Sequence, residues 1–253
     1  MGLIDLSGKT AIVTGGSRGV GAATALMLAE AGASVGIGYR SRQSEAAEVV
    51  DACRALGVEA WAEAGDLSTR EDAERLFETA AADFGGVDIF VGNHGIWPPV
   101  DTALADMSDE QWHRTMDANL HSIFYTCRLA ARHIRDDGRI VLVSSTAAQR
   151  GEAFHGDYAS TKGAMVSLVK GLCIELAPRG ITVNSVAPGW IDTEMSATAF
   201  EGEARDAIAS SIPIGRIATS EDVAGPIVFL CSELGRHVTG EILNVNGGAV
   251  RVG

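Results

Sequence analysis

The sequence is short of positive charge: 20 Lys and Arg face 33 Asp and Glu over 253 residues, a formal charge of −13. A chain this acidic is poorly suited to a nucleic-acid backbone or an anionic membrane surface, and neither is expected as a partner. Long apolar runs are missing as well. None approaches the roughly 20 residues that span a bilayer. The opening stretch MGLIDLSGKTAIV lacks the basic flank, apolar core and cleavage site of a signal peptide. Leu6 stands where myristoylation needs Ser or Thr. Cysteine is sparse and scattered: Cys53, Cys127, Cys173 and Cys231 form no C-x-x-C pair. They read as reduced, apolar residues of a cytoplasmic protein. The six histidines show neither H-x-H nor H-E-x-x-H spacing, so no metal site is expected. Low-complexity linkers, composition shifts and repeats are also lacking, and residues 1–253 are read as one domain.

What is present is alternation. Short β-branched runs at 10–16, 34–39, 58–66, 87–95, 139–145, 181–189 and 241–248 read as strands. Helical patterns lie between them near 19–31, 42–56, 69–83, 109–135, 156–177 and 220–232. Strand–helix alternation with near-continuously apolar strands predicts an α/β fold. It is a Rossmann-type doubly wound sheet of seven mainly parallel strands with helices on both faces. The least regular stretch, 193–216, carries small residues and helical patches and is read as a substrate lid or an ordinary surface excursion.

The turn TGGSRGVG at 14–21 joins the first strand to the first helix. Gly15, Gly19 and Gly21 allow a tight turn and close approach to a pyrophosphate, flanked by Ser17, Arg18 and Val20 at the helix start. At the end of the second strand an acid would accept from a ribose 2′-hydroxyl, whereas arginine would pair a 2′-phosphate. Here Tyr39 occupies the acid's place, followed by Arg40 and Ser41, and Arg18 can reach the same corner. Two guanidiniums and no acid favour NADP(H); Arg42 reads as a solvated charge at a helix start. Asp66 and Leu67, after the third strand, are placed for an adenine ring, or form an ordinary turn. Asn93 and Gly95 close the fourth strand, where Asn93 can brace the sheet.

In order along the chain, TGGSRGVG, GNHG, NLHSIF, VLVSS, YASTK, VNSVAPGWIDT and TGEILNVNGG resemble the short-chain dehydrogenase/reductase family end to end. The resemblance implies an enzyme moving a hydride between NADP(H) and a carbonyl or secondary alcohol. It assigns Tyr158 as acid/base, Lys162 as its partner, Ser145 as the hydroxyl that orients the carbonyl and Asn119 as the fourth member. Ser145 is preferred to Ser144 because it precedes Tyr158 by 13 residues. Pro188, Gly189, Ile191 and Thr193 match the segment that holds the nicotinamide. Gly92, His94 and Asn246 depart from the family's usual residues, and His94 is thereby a candidate to touch cofactor or substrate.

Residue chemistry agrees. Positions 158 and 162 are i and i+4 on a helix and share a face. A phenol of ordinary pKa near 10 suits neutral chemistry poorly, and an adjacent ammonium is expected to bring it down. Lys162 can also hold the nicotinamide ribose. Trp97, Gln149, Phe154, His155 and Trp190, with His94, are expected to line the substrate side.

A free small molecule is placed first as substrate. The alternative is a 3-oxoacyl group on acyl carrier protein, disfavoured because Asp136, Asp137 and Ile174 leave no basic dock for an acidic partner. A non-catalytic dinucleotide-binding protein is the third reading, opposed by retention of Ser145, Tyr158 and Lys162. A homotetramer is expected, because helices 109–135 and 156–177 carry surplus apolar residues (Ile123, Phe124, Met165, Leu168, Leu172) and relatives pair these helices between subunits.

Overall fold

The computed structural model describes residues 3–251. The chain runs β1 (Thr10–Thr14), α1 (Gly19–Glu30), β2 (Ser34–Tyr39), α2 (Gln43–Ala55), β3 (Ala60–Ala64), α3 (Arg70–Phe84) and β4 (Val87–Gly92). It continues through α4 (Asp109–Met116), α5 (Ser122–His133), β5 (Ile134–Val143), α6 (Ala147–Arg150), α7 (Gly156–Leu176) and β6 (Thr182–Pro188). After α8 (Ala204–Ser211) and α9 (Ser220–Cys231) it closes with β7 (Ile242–Val245). The strands form one sheet in the order β3-β2-β1-β4-β5-β6-β7, every pairing parallel.

Alternation along each strand explains why both faces are covered. In β1, Ala11 and Val13 enter one core cluster and Ile12 the other; in β4, Ile89 and Val91 oppose Phe90; in β5, Val141 and Val143 oppose Ile140 and Leu142. Successive side chains of a strand point to opposite faces, so strands that are apolar throughout need helices on both sides. Residues of α1, α2 and α9 complete the first cluster, and those of α3, α5 and α7 the second. Burying each of the larger side chains, such as Phe77 or Phe90, contributes roughly 1.5–3 kcal/mol.

Local signals set the helix ends. Thr69 caps α3 by accepting from the Asp72 amide, and Gly85 ends it in the left-handed region at φ 69°. Thr219 and Asp222 form a reciprocal capping box at the start of α9. Asp88, buried beside β1, accepts from the Thr10 amide at 2.9 Å and from Arg135 at 2.6 Å, fastening β4 to β1 and to the start of β5.

Three expectations need correction. The single helix expected at 109–135 is interrupted by a π-helical turn, Asp117–His121, of the kind that often marks functional positions. The two helices either side of it are α4 and α5, and β5 already begins at Ile134. Ile123 and Met165 are not surplus, for both are fully buried in this chain's own core. Of that set Phe124 is exposed, while Leu168 and Leu172 are half-buried. The segment 193–216 is built rather than irregular. A 3-10 turn (Glu194–Phe200) and α8 lie along it, and Phe200 and Ile212 pack with Ile217 and Trp190 in a small separate core.

Among the described residues no helix is long and apolar enough to cross a membrane, and no cluster of His, Cys, Asp and Glu is placed to hold a metal ion.

Gly36, in the middle of β2, makes room for an indole: a Cβ there would overlap the ring of Trp61. That ring is itself stacked on Phe84 at 4.2 Å and cannot swing away freely. Overpacking of this kind costs about 1–3 kcal/mol. Gly36→Ala should therefore lower the thermal midpoint by about 2–10 °C. An unchanged midpoint in a calorimetric scan would show that the Trp61–Phe84 stack yields.

Candidate active site

Strand order reverses between β1 and β4, and in such sheets ligands bind outside the carboxyl ends of the strands at that switch point. A cleft of about 1250 Å³ opens there. Gly15 and Gly19, at φ 65° and 55°, carry the chain from β1 into α1 through backbone that other residues adopt with strain. Gly21 does not line the cleft. It is glycine because a Cβ would overlap the Gly15 carbonyl and come within 2.6 Å of Asn93 Nδ2. No side chain caps the start of α1 and its first turn holds no acid, which leaves backbone N–H groups suited to an anion. With Ser17 and Val20 on the wall, these residues fit a dinucleotide pyrophosphate.

Asn93 braces this turn, as expected. Its Nδ2 donates to the carbonyls of Thr14 at 3.0 Å and Gly15 at 3.3 Å, and its amide donates to Thr14 Oγ1 at 3.0 Å. His94 pairs its Nδ1 with the same hydroxyl at 2.7 Å. Burial, with the Lys162 ammonium, pushes its imidazole down to about 3, so His94 lines the cleft as a neutral ring.

Tyr39, Arg40, Ser41, Asp66 and Leu67 meet where β2 and β3 end, the side of the cleft at which an adenosine was expected. No acid stands on β2, but Asp66 supplies one from the next loop, 3.3 Å from Arg40. Burial pushes the Asp66 carboxyl up, yet hydrogen bonds from the Ser68 amide and hydroxyl, with the Arg40 charge, hold it below the usual range. Arg18 pairs with Glu194 of the 193–216 segment. Arg42 is exposed at the start of α2, as the sequence suggested, and it also lines the cleft and holds the same Glu194 at 3.0 Å. A partner 152 residues away left no trace in the local pattern.

Ser145, Tyr158 and Lys162 converge at the other end of the cleft. Ser145 follows β5 and its Oγ accepts from the Ala147 amide at 3.1 Å, leaving its own hydrogen free to donate. The neighbouring Ser144 is spent inside the sheet, donating to the Val186 carbonyl at 3.2 Å. Lys162 is buried, and its Nζ donates to the Val143 carbonyl at 2.8 Å, 5.7 Å from the centre of the Tyr158 ring. Burial pushes the ammonium down to about 8. The expected lowering of Tyr158 does not hold here. Burial pushes its phenol up to about 12, opposed by the Ser145 hydroxyl and assisted by the Glu152 charge, while the ammonium is directed at β5.

Asn119 lies behind the wall rather than in the cleft. It sits fully buried in the π-helical turn, accepts from the Ile96 amide at 2.7 Å and donates to the Ile96 carbonyl at 2.9 Å and to Thr161 Oγ1 at 3.3 Å. It thereby ties the loop after β4, including Gly95, to the helix that carries Tyr158 and Lys162.

Pro188 ends β6, and Gly189, Ile191 and Thr193 follow it along the cleft. On the substrate side Trp97 and Trp190 line both the cleft and an adjoining pocket, and His155 lines the pocket alone, stacked on Trp97 at 4.5 Å. Gln149 and Phe154 line neither. Gln149 donates to Asn244 Oδ1 at 2.7 Å, and Phe154 is exposed at a left-handed turn of φ 66°. Glu152 was missed although it lies in the same loop, between these two.

A family model described as Enoyl-(Acyl carrier protein) reductase matches residues 15–250. The chain is 38% identical over 247 residues to a 3-oxoacyl-(acyl-carrier-protein) reductase of Vibrio cholerae serotype O1, covering 97% of this chain and 98% of that one. It is 40% identical over 248 residues to 3beta-hydroxysteroid dehydrogenase 1 of Eggerthella lenta, covering 96% and 94%. A short-chain dehydrogenase from Burkholderia cenocepacia, solved with NADP, superposes with a TM-score of 0.91 at 38% identity over 96% of this chain and 98% of that one.

Glu194 competes with any anion for Arg18 and Arg42. Exposed ion pairs are worth roughly 0.2–1 kcal/mol each. Glu194→Gln should therefore tighten NADPH by about two- to fivefold while leaving NADH within twofold. Fluorescence titration of both nucleotides decides this, and equal gains for both would remove the 2′-phosphate from the explanation.

Proposed function

The chain belongs to the short-chain dehydrogenase/reductase family of nicotinamide-dependent oxidoreductases, and on that footing we propose that it transfers a hydride between NADP(H) and a carbonyl or secondary alcohol of a free small molecule. The observation that carries this reading is the convergence of Ser145, Tyr158 and Lys162 in the cleft that the glycine turn opens.

Arg18, Arg40 and Arg42 at the adenosine end, with no acid on β2, favour a 2′-phosphate. Their existing partners Glu194 and Asp66 set a competition that a dianionic phosphate is well suited to win. The relative from B. cenocepacia solved with NADP supports the same choice.

The nicotinamide, when bound, supplies or accepts the hydride. Burial keeps the Tyr158 phenol protonated at neutral pH, ready to give its proton to the substrate oxygen in reduction. The free hydrogen of Ser145 orients and polarises that oxygen. Lys162, whose Nζ lies 5.7 Å from the centre of the Tyr158 ring, supplies the positive charge on which the phenolate formed in oxidation would draw, and it would hold the nicotinamide ribose. Asn119 acts as a positioning residue, through Ile96 and Thr161.

A second reading, a 3-oxoacyl thioester on acyl carrier protein, is favoured by the relative from V. cholerae. The surface after α5 speaks against it. Asp136 faces solvent and engages Arg179 at 2.8 Å, and Ile174 is an exposed apolar residue, which weakens that stretch as a dock for an acidic protein. The hydroxysteroid dehydrogenase relative supports a free substrate. Assembly as a homotetramer rests on exposed Phe124 and Ile174 with half-buried Leu168 and Leu172 on α5 and α7. A cytoplasmic location rests on four free, buried cysteines.

Tyr158→Phe removes the proton donor while keeping the ring. NADPH affinity should stay within about twofold, and turnover should fall by about 10²–10⁴. Near-native turnover of any ketone by the variant would assign the proton to another group.

A further inference from the structure

Beside the reactive end of the cleft lies a pocket of about 450 Å³ whose lining includes Trp97, Trp190, Asp101, Glu152 and His155. It shares Trp97, Glu152 and Trp190 with the cleft that holds Ser145 and Tyr158, so a substrate reacting there would extend into it. Two indoles stand in its wall, and both of its formally charged groups, Asp101 and Glu152, are acids. Trp97 and Trp190 meet edge to face, 82° apart with ring centres at 6.2 Å, which makes an apolar corner. Trp97 is held from behind by the stacked His155 ring, whose Nε2 donates to the Pro98 carbonyl at 2.9 Å. Glu152 accepts from Trp97 Nε1 at 3.3 Å and makes no ion pair among the described residues, and Asp101 is only 3.8 Å from His155 Nε2. No Lys or Arg lines this pocket; the cleft's Arg114 and Arg150 lie outside it.

Resting on the oxidoreductase reading above, we propose that the pocket selects substrates carrying a positive charge, namely ketones or secondary alcohols with an ammonium or quaternary ammonium group. Indole faces attract cations, and most strongly when water is excluded. A carboxylate beside them adds Coulomb attraction that a neutral or anionic group forgoes. A polyol would use the same carboxylates only as hydrogen-bond acceptors and gains nothing from the indole faces' attraction for charge. Glu152 also stands close enough to the reacting end to raise the Tyr158 phenol. A cation seated between the two would offset that influence.

The test has two readouts. Titrating the NADP⁺-loaded enzyme with tetramethylammonium should give a saturable change in tryptophan fluorescence, weakened about tenfold by Glu152→Gln. Turnover is then compared among a methyl ketone bearing a trimethylammonium group, its tert-butyl isostere, its carboxylate counterpart and a keto-polyol. The cation should exceed the isostere in kcat/KM by about tenfold, with the carboxylate slowest, and the cation-to-isostere ratio should collapse towards one in Glu152→Gln. Equal turnover of cation and isostere, preference for the polyol, or a ratio that survives Glu152→Gln would overturn the inference. Saturable tetramethylammonium binding with no ketone reduced would uphold the cation pocket and overturn the oxidoreductase reading instead.

Discussion

An ammonium buried beside Tyr158 is the constraint on which the site depends. Lys162 Nζ has left water for one carbonyl, that of Val143, at 2.8 Å, with the Tyr158 ring as a second, weaker partner at 5.7 Å. Removing such a charge from water costs several kcal/mol, and the fall of its pKa to about 8 shows that these partners offset only part of the cost. The rest is carried by the fold. The 21-residue α7 sets Met165, Val169 and Cys173 into the core, and Asn119 ties Thr161 to the loop after β4. The lysine is thereby pinned to the end of β5, one turn from Tyr158, where Ser145 also emerges.

Charge in the rest of the cleft follows a common pattern. Each guanidinium at the adenosine end already has an acid of this chain beside it: Glu194 for Arg18 and Arg42, Asp66 for Arg40. Such exposed pairs are weak. They hold the side chains near their working positions and yield to a ligand of higher charge. In the pocket beside Trp97 and Trp190, by contrast, Glu152 and Asp101 have no arginine partner among the described residues, although Arg114 and Arg150 line the neighbouring cleft.

Much of this was legible in the sequence, and the failures have a shared cause. The seven strands and their helices show because burial on both faces leaves continuous apolar runs between turns, as in β1 and β4. Ser145, Tyr158, Lys162 and the glycine turn show because their spacing along one strand end or one helix face fixes their geometry. What did not show depends on partners remote in sequence. The pairing of the exposed Arg42 did not show because Glu194 lies 152 residues away, and Gln149 looked like a pocket residue because Asn244, which holds it, is 95 residues on. The break in helix 109–135 carries no glycine or proline to announce it; Asn119 is buried there by contacts to Ile96 and Thr161 that only the assembled fold supplies. Asp66 was read for an adenine ring, and its pairing with Arg40 depended on how two adjacent strand ends meet.

The central claim is that the charge on the buried Lys162, lost at lower pH than that of an ordinary lysine, is the one the proposed chemistry uses. Lysine in the unfolded chain titrates near 10.5, so the depressed value means that the charged form is lost as pH rises through about 8. Nitrogen-15 NMR of side-chain-labelled lysine, recorded beside the pH profile of NADPH-dependent reduction, measures this directly. The account predicts one lysine titrating near 8 that disappears in Lys162→Met, with kcat/KM falling along the same curve. All lysines titrating near 10.5, with reduction unchanged through pH 8 to 9, would contradict it.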